Sequence, residues 1–562
     1  MRSILPLCAL ALLSACSQHP SNISKPNDVT FDEARFRQDI KNLASDEFEG
    51  RAPTTKGEQL TLDYLSNAFA KMGLEKPNGK DYLQAVPMVS YTASEQQEIQ
   101  LGEQQLKYRQ DVVLGSRHDI ASIDINEAPL VFVGYGINAP EYQWNDYQDI
   151  DMHGKIAVIL VNDPGFARPD SGKFNGKAMT YYGRWNYKFE EASRQGALGA
   201  IIIHDTKPAS YPWSVVENSW TGAQQDLVRS PAEQAQRVQV EGWITYDVAT
   251  ELFDRSGLSL ATISDRAAAS AINLALNQTA SIAFENRAEY ANSYNVVATL
   301  PGSSRADEHI LFTAHWDHIG VDASKDGDQI YNGALDNASG TAGILEIARQ
   351  FAKQAKNGHP LARSVTFIAT TGEEQGLLGS RYYAANPIYS LDKSVAVFNL
   401  DSTNIYGRTT DYTIVGKGKS ELENYLVNAL KSQNRTAKRE KYPESGGFFR
   451  SDHFSFAKEG VPAVFAGGGS EPVDEATAQY KAQMKQKMKG CYHNVCDEYR
   501  EDWDLSGALE DLAIFYQAAF ELGNNHDWPG YYKGTEFHAL RPAQEKQPSQ
   551  ESAHKSKELT NF

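Results

Sequence analysis

Apolar runs of strand length recur in the second half of the chain, and helical patterns separate them. The runs HILFTA, SVTFIAT, SVAVFNL and PAVFAGG are almost continuously apolar, as in strands buried on both faces of a parallel sheet. Stretches such as SGTAGILEIARQFAKQ repeat apolar residues every three or four positions, which is typical of helices. Residues 286–530 are therefore predicted to form an α/β domain, with a mixed, largely parallel sheet flanked by helices.

Residues 31–127 are predicted to be the N-terminal part of the same domain. The segments FDEARFRQDIKNLAS and KGEQLTLDYLSNAFAKMGL each predict an amphipathic helix, and the second is expected to end at Gly73. The loop DEFEGRAPTTKG, which is rich in Gly, Pro and Thr, joins the two helices.

Residues 128–285 are predicted to form a separate, β-rich unit inserted into that domain. Its strand patterns are APLVFVGYGI, GKIAVILVNDPG, GALGAIIIHDT and VQVEGWITYDVA, and KFEEASRQGA predicts a helix between two of them. The segments IDMHGKIAVILVNDPG and EASRQGALGAIIIHD resemble a protease-associated domain, a module that caps or shapes a neighbouring active site. Such a module does not by itself establish catalysis.

The first residues, MRSILPLCALALLSAC, have the pattern of a secretion signal. Arg2 precedes an apolar run over residues 4–13, which is too short to span a bilayer. LSAC resembles the lipobox of bacterial lipoproteins, so residues 1–16 are predicted to be a lipoprotein signal peptide with its lipobox cysteine, Cys16. Because Ser17 resembles the outer-membrane sorting pattern, we expect an exported protein, either lipid-anchored at the outer membrane facing the periplasm or secreted. The alternative is an ordinary signal peptide with an incidental cysteine.

Charge and composition limit the partners of the chain. It has 562 residues, a formal net charge of -18 and 41% hydrophobic residues, which indicates a soluble protein of more than one domain. Nucleic acid and anionic lipid are excluded as partners because they require a basic surface, so membrane contact is expected only through an N-terminal lipid anchor. Residues 17–30 are predicted to be a flexible tether, and residues 531–562 a disordered tail.

The stretch KGCYHNVCDEYRED places a histidine between Cys491 and Cys496. If Cys8 leaves with the signal peptide and Cys16 is lipidated, these two cysteines remain, and in an exported protein they favour a disulfide. A structural zinc site would need more cysteines or a second histidine in this stretch, and a redox pair has the Cys-x-x-Cys spacing, which is absent from it.

Polar residues follow the predicted strands of the α/β domain at the point where each strand ends. His315 follows ILFTA, Glu373 and Glu374 follow VTFIAT, and Asp401 follows VAVFNL. Asp336 in NGALDNASG precedes a helix, where a carboxylate is electrostatically favoured. Each residue alone has an ordinary explanation as a turn, a helix start or a hydrogen-bonded side chain. Together they indicate a site, because ligands of open α/β sheets bind beyond the carboxyl ends of the strands.

These motifs, together with CYHNVC, resemble the co-catalytic zinc exopeptidases of metallopeptidase family twenty-eight, of the aminopeptidase Y and aminopeptidase S type. Histidine nitrogens and carboxylate oxygens suit zinc, and one carboxylate can bridge two ions. The resemblance covers essentially the whole mature chain. It implies the zinc exopeptidase fold, two zinc ions per subunit, and peptide substrates with a free N-terminus.

The resemblance also implies a role for each ligand. One zinc ion would be bound by His315 and Asp401, the other by Glu374 and His493, and both by Asp336. Asp317 would accept a hydrogen bond from His315 and hold its ring, as metal-bound imidazole usually requires.

Catalytic and substrate-binding roles follow in the same way. Glu373 resembles the general base, which takes a proton from water and passes it to the departing amine. The hydroxyl of Tyr492 would stabilise the oxyanion, and Arg450 would contact the substrate or the developing anion. Two further histidines, His318 and His453, are not expected to be ligands.

The sequence leaves other functions open. A carboxypeptidase or dipeptidase could use the same framework, and a glutaminyl cyclase uses a related fold with one working zinc ion. A receptor-like binding module is a non-catalytic alternative, since some relatives with a protease-associated domain have lost their ligands. The two zinc ions of the leading interpretation would supply an activated water for peptide hydrolysis.

Overall fold

The computed structural model describes residues 29–77 and 79–542. The predicted signal peptide, Cys16, residues 17–28 of the predicted tether and residues 543–562 of the predicted tail lie outside the described residues. Within the described ranges, no helix combines the length and the apolar character needed to cross a membrane.

Helices occur throughout the described chain, and both predicted N-terminal helices are present. The α-helices are α1 (Glu33–Leu43), α2 (Lys56–Met72), α3 (Pro164–Ala167), α4 (Trp185–Arg194), α5 (Thr206–Ala209), α6 (Trp213–Trp220), α7 (Pro231–Ala235), α8 (Tyr246–Arg255), α9 (Leu260–Ala269), α10 (Ser339–Lys356), α11 (Leu378–Ala385), α12 (Leu422–Lys431), α13 (His453–Lys458), α14 (Glu475–Lys487) and α15 (Ser506–Asn524). As predicted, α2 ends at Gly73, whose φ of 82° closes the helix in the left-handed conformation.

Most strands fall into two groups that share one long strand. The strands are β1 (Leu83–Ala93), β2 (Glu98–Leu101), β3 (Gln104–Gln105), β4 (Val112–Gly115), β5 (Ser122–Phe132), β6 (Asn138–Ala139), β7 (Trp144–Asn145), β8 (Ile156–Leu160), β9 (Gly199–His204), β10 (Ala223–Leu227), β11 (Val240–Thr245), β12 (Leu274–Leu300), β13 (Arg305–His315), β14 (Gly320–Val321), β15 (Ile330–Tyr331), β16 (Arg363–Thr370), β17 (Ser394–Asn399), β18 (Asp411–Ile414), β19 (Thr436–Arg439) and β20 (Ala463–Gly467). Two further pairs, β6-β7 and β14-β15, are separate from both groups.

The predicted α/β domain has a mixed sheet with a parallel centre. Its strand order is β19-β18-β20-β17-β13-β16-β12. Strands β16, β13, β17 and β20 run parallel, β12 runs antiparallel to β16, and β18 runs antiparallel to β20 but parallel to β19. The predicted mixed, largely parallel sheet is confirmed.

Helices cover both faces of this sheet, which explains the nearly continuous apolar runs in its central strands. Ile310 and Phe312 of β13 pack in the core that contains α1, α2, α10 and α15. Leu311 points the other way, into the core that contains Tyr383 of α11 and Phe456 of α13. Successive residues of a strand face opposite sides, so both sides need apolar residues here. Burying each such side chain contributes about 1.5–3 kcal/mol.

The second unit has its own sheet, joined to the first by β12. Strands β5, β8, β9 and β11 run parallel, β4 pairs with β11, and the first part of β12 pairs with β5. Beyond residue 285 the same strand pairs with β1 and β16 of the main sheet. The predicted boundary at residue 128 falls inside β5, and β2 and β4 also pair into this sheet, so the unit begins earlier than expected. Its identification as a protease-associated domain stays a prediction.

Residues 531–542 of the predicted disordered tail are packed against the main domain. Tyr531 is fully buried and Phe537 nearly so. The hydroxyl of Tyr531 donates to the carbonyl of Val461 at 2.8 Å, and its amide donates to the carbonyl of Arg541 at 2.8 Å. The prediction of disorder is wrong for this segment. It was based on the polar composition after residue 541 and did not consider that Tyr531 and Phe537 could anchor the preceding residues in the core.

Candidate metal centre

The predicted site residues meet at the carboxyl-terminal edge of the main sheet. His315 is the last residue of β13, and its neighbour in the next strand is Thr370 at the end of β16. Glu373 and Glu374 follow β16, and Asp401 follows β17. Because these strands are parallel, the local sequence of each brings its acidic or histidine side chain to one edge.

On one side of the centre, a buried histidine faces two carboxylates. The Nε2 of His315 lies 3.2 Å from Oδ1 of Asp336 and 3.4 Å from Oδ1 of Asp401. This nitrogen is buried and has no hydrogen-bond partner among the described residues. The three ligand atoms lie within 4.8 Å of one another, which fits a common metal ion.

On the other side, a second histidine faces the remaining oxygen of Asp336. The Nε2 of His493 lies 3.3 Å from Oδ2 of Asp336 and 2.9 Å from Oε2 of Glu374. Against the effect of burial, the contacts of Asp336 with both histidines hold its pKa below the ordinary value. Asp336 thus presents one oxygen to each histidine, as a carboxylate shared by two metal ions would.

Glu373 lies beside these residues without a hydrogen bond from its carboxylate to another described residue. Its Oε2 is 4.0 Å from Nε2 of His315, and its side chain is 10% exposed. Burial, together with the charges of Asp401 and Glu374, raises the pKa of Glu373 well above its usual range. A carboxyl group of this kind is suited to proton transfer.

Asp317 reaches the site differently from the prediction. The Nδ1 of His315 is 3.1 Å from the main-chain carbonyl oxygen of Asp317 but 3.9 Å from its carboxylate. The carboxylate accepts the amide N–H groups of Glu373 and Glu374 instead, at 3.1 and 3.4 Å. Asp317 therefore orients the histidine through its main chain and the glutamate pair through its side chain. The sequence could not separate these two acceptors of one residue.

The predicted disulfide between Cys491 and Cys496 is present, with its Cα atoms 5.0 Å apart. It closes a short loop in which His493 has a φ of 52°, a left-handed conformation that non-glycine residues rarely adopt. The ring of Tyr492 stacks on that of His493 at 3.9 Å and is 76% exposed. Tyr492 thus lies at the open side of the centre, and its role at the oxyanion stays a prediction.

Asp497, which sequence reasoning missed, links the disulfide loop to the bridging carboxylate. Its side chain is 2% exposed and accepts the amide N–H groups of Leu335 and Asp336, each at 3.0 Å. Its carbonyl also accepts from the amide of Ala334 at 2.9 Å. The residue immediately follows Cys496, so its position in the same motif was the available signal.

Arg51, in the loop between α1 and α2, was also missed. Its guanidinium is buried and donates to main-chain carbonyls on three segments, namely those of Trp316 at 2.9 Å, Leu43 and Asn332 at 2.6 Å, and Gly333 at 2.8 Å. Burial lowers the pKa of Arg51 to about 10, so the group remains charged near neutral pH. It joins the main chain after His315 to the main chain before Asp336.

The two other histidines differ in their distance from the site. The Nδ1 of His318 lies 2.6 Å from Oε1 of Glu374, which leaves Oε2 of that residue facing His493. His453 is fully buried between the rings of Phe448 and Phe465, and burial lowers its pKa to about 3. Among the described residues, His453 belongs to none of the candidate ligand groups.

Arg450 is exposed and contacts none of the predicted ligands. It follows a short 3-10 turn, Gly447–Phe449, at the border of the second unit. Its predicted contact with substrate stays a prediction.

The part of the chain that holds the candidate centre is similar to known peptidases. Residues 295–517 match the sequence model of Peptidase family M28. Aminopeptidase Y of Saccharomyces cerevisiae (strain ATCC 204508 / S288c) is 28% identical over 244 residues, which are 41% of this chain and 40% of that protein. Aminopeptidase NAALADL1 of Rattus norvegicus is 28% identical over 149 residues, 26% of this chain and 18% of that protein. A solved structure, the aminopeptidase from Aneurinibacillus sp. strain AM-1, has a TM-score of 0.48 at 20% identity and covers 89% of this chain and 95% of its own.

The chain spans less than half the length of these two curated relatives. The family match nevertheless includes every predicted metal ligand, from His315 to His493. Residues 295–517, which hold the candidate centre, are thus similar to Peptidase family M28.

Proposed function

We propose that this protein is a zinc-dependent aminopeptidase that removes N-terminal residues from peptides with the help of two metal ions. The observation that carries the proposal is the placement of the two Asp336 oxygens, which face two different histidines. A second carboxylate also lies beside each histidine, Asp401 beside one and Glu374 beside the other. The family match and the names of two aminopeptidase relatives support hydrolysis at the amino end.

The donor set fits two zinc ions, one on each side of Asp336. His315 and Asp401 would hold one ion, Glu374 and His493 the other. Bound zinc activates water and polarises the peptide carbonyl. Asp336, whose two oxygens face separate histidines, would be shared by the two ions and would help to hold them for hydrolysis.

Glu373 would take a proton from the attacking water and deliver it to the departing amine. Its carboxylate is free of other described hydrogen bonds, and the adjacent main chain is fixed by Asp317. Tyr492, exposed beside His493, would donate its hydroxyl hydrogen to the oxyanion that develops on the substrate.

Metal analysis combined with Glu373→Gln tests this function. We expect two zinc ions per chain, cleavage of leucine anilide, and no cleavage of its N-acetylated form. Glu373→Gln should lower kcat about 10²- to 10⁴-fold while the zinc content stays at two. The matched control is Glu498→Gln, the same substitution at an exposed glutamate, and it should leave kcat unchanged.

Other outcomes identify the alternatives. Cleavage of N-acetylated peptides from their free carboxyl end would indicate a carboxypeptidase, and ring closure of a glutamine-initial peptide with one zinc ion would indicate a glutaminyl cyclase. Retained activity in Glu373→Gln would remove this residue from the base role. Zinc binding without any turnover would favour a binding module.

We also propose that the protein is exported and lipid-anchored through Cys16. The signal-like segment over residues 1–16 and the disulfide both support an oxidising compartment. Metabolic labelling with a radioactive fatty acid should label the native chain but not Cys16→Ser. Labelling of both chains, or of neither, would contradict the anchor.

A further inference from the structure

Two guanidinium groups without an anionic partner lie where the second unit meets the loop before α13. Arg184 is the N-cap residue of α4, and its Nε is buried without a hydrogen-bond partner among the described residues. No described carboxylate lies within 4.0 Å of either Arg184 or Arg450. Burial raises the pKa of the Tyr211 phenol, and the charges of Arg184 and Arg450 oppose that rise.

The packing of the two segments fixes this arrangement. The amide of Met179 in the second unit donates to the carbonyl of Pro443 at 3.1 Å. A Cβ placed on Gly446 would lie 3.5 Å from Cδ of Arg184, so the arginine side chain runs past the loop that leads to Arg450. Gly446 itself has a φ of 67°, which suits glycine.

The same loop is bound to the strands that deliver the metal centre. Ser451 accepts a hydrogen bond from Nδ2 of Asn399, the last residue of β17, at 2.7 Å. The carboxylate of Asp452 accepts from the hydroxyl of Thr370, the last residue of β16. Arg450 therefore projects from main chain that is fixed directly beside the ends of the two strands that precede Asp401 and Glu373.

Elsewhere the chain neutralises its clustered arginines. Asp226 is 3% exposed in its side chain and lies 2.7 Å from both Arg229 and Arg237. Arg184 has no such partner, and burial together with the charge of Arg450 lowers its pKa to about 10. Because a buried guanidinium nitrogen without a partner is unfavourable, Arg184 would gain from an anion that binds between it and Arg450.

We propose that Arg184 and Arg450 bind a carboxylate of the substrate on the leaving side of the scissile bond. This inference rests on the proposed aminopeptidase function. Guanidinium forks match carboxylates in shape and charge. The acidic metal centre would attract the free amine, and the cationic pair would bind a group further along the peptide.

The carboxylate has two possible sources, the C-terminus of a dipeptide or an acidic side chain at the second residue. The substrate pair Leu-Ala and Leu-Ala-amide isolates the first source. The pair Leu-Glu-amide and Leu-Gln-amide isolates the second. For at least one pair we expect the zinc-loaded protein to favour the charged member in kcat/KM by about tenfold or more, as for a charge-assisted hydrogen bond.

Arg184→Gln and Arg450→Gln should each bring that ratio close to one, mainly through KM. Arg287→Gln, an exposed arginine on β12 paired with Glu289, is the matched control and should keep the wild-type ratio. Arg450 is exposed, so its variant is expected to fold normally even if Arg184→Gln does not.

Calorimetric binding to zinc-loaded Glu373→Gln separates this inference from the proposed function. Glu373→Gln should bind the charged member of a pair more tightly than the neutral member, and the double variant Glu373→Gln/Arg450→Gln should lose this difference. That result would support the carboxylate site even if no peptide were hydrolysed. Equal binding of both members of both pairs would overturn it, as would ratios that the two arginine variants leave unchanged.

Discussion

The disulfide loop carries a metal ligand in an unfavourable backbone conformation, so removal of the disulfide should weaken one of the two predicted zinc sites. His493 has a φ of 52°, and a left-handed residue costs about 1–2 kcal/mol. The loop is otherwise held by few main-chain bonds, such as Cys491 N to Met488 O at 3.1 Å and Asn494 N to Cys491 O at 3.0 Å. Its residues between the cysteines are mostly exposed.

The expected magnitude follows from the length of the loop. The cysteines are separated by 5 positions in sequence. Closing a loop of about six residues removes chain entropy worth about 2 kcal/mol. In Cys491→Ser/Cys496→Ser, zinc binding would have to order the loop itself, so the affinity of the site formed by Glu374 and His493 should fall by up to about 30-fold. The site formed by His315 and Asp401 should change little.

A competition titration with a chromophoric chelator measures the two affinities separately. Wild-type protein treated with a reductant that does not bind zinc should reproduce the serine variant, which controls for the substitution itself. Equal affinities in the oxidised and serine forms would refute the reasoning. They would mean that Asp497 and the adjacent packing hold His493 without the disulfide.

Three further changes test the residues that support the centre. Arg51→Met removes the donors to four carbonyls and should lower the free energy of unfolding by about 3 kcal/mol or more in urea denaturation, with weaker zinc binding. Asp497→Asn replaces an acceptor by a donor opposite the amide of Leu335 or Asp336 and should cost about 1–3 kcal/mol, measured as stability and zinc affinity. His453→Phe should flatten the acid limb of the stability curve. Because burial lowers the folded pKa of His453 to about 3, the unfolded state binds the extra proton, and wild-type stability should fall by about 1.4 kcal/mol per pH unit as pH drops from about 6.5 toward 3.

Matched variants control for each change. Arg35→Met alters an exposed arginine of α1, and Glu498→Gln alters an exposed acid next to Asp497. His359→Phe changes an exposed histidine after α10 and should leave the acid limb as steep as in wild type. An effect of similar size in a control and its partner would show that the site contacts are not responsible.

The ligands could be predicted from the sequence because each depends on a local pattern. A continuous apolar run identifies a buried strand, and the polar residue that follows it lies at the sheet edge whatever the rest of the chain does. This reasoning placed His315, Glu374 and Asp401 together, and the structure has them at one edge. Asp336 was identified by its position just before a helix, whereas His493 required the resemblance, because a loop carries it and a loop has no periodicity.

The supporting residues could not be predicted, since their contacts are long-range. Arg51 and Asn332 are 281 positions apart in sequence, and nothing near either residue signals their hydrogen bond. The choice between the carbonyl and the carboxylate of Asp317 depends on how β13 ends against β16. In the same way, the sequence of β12 has an ordinary strand pattern, but the pairing of this strand in two different sheets depends on the whole fold.

The balance of charge favours two metal ions over one in this centre. Four carboxylates, those of Asp336, Glu373, Glu374 and Asp401, lie around two histidines with little solvent. Arg51 adds one positive charge near the site, but its described hydrogen bonds go to main-chain carbonyls and not to these carboxylates. One divalent ion would leave a net negative charge in a buried site, which is costly. Two divalent ions balance the charge of these four carboxylates, which suits a centre where negative charge develops on the substrate.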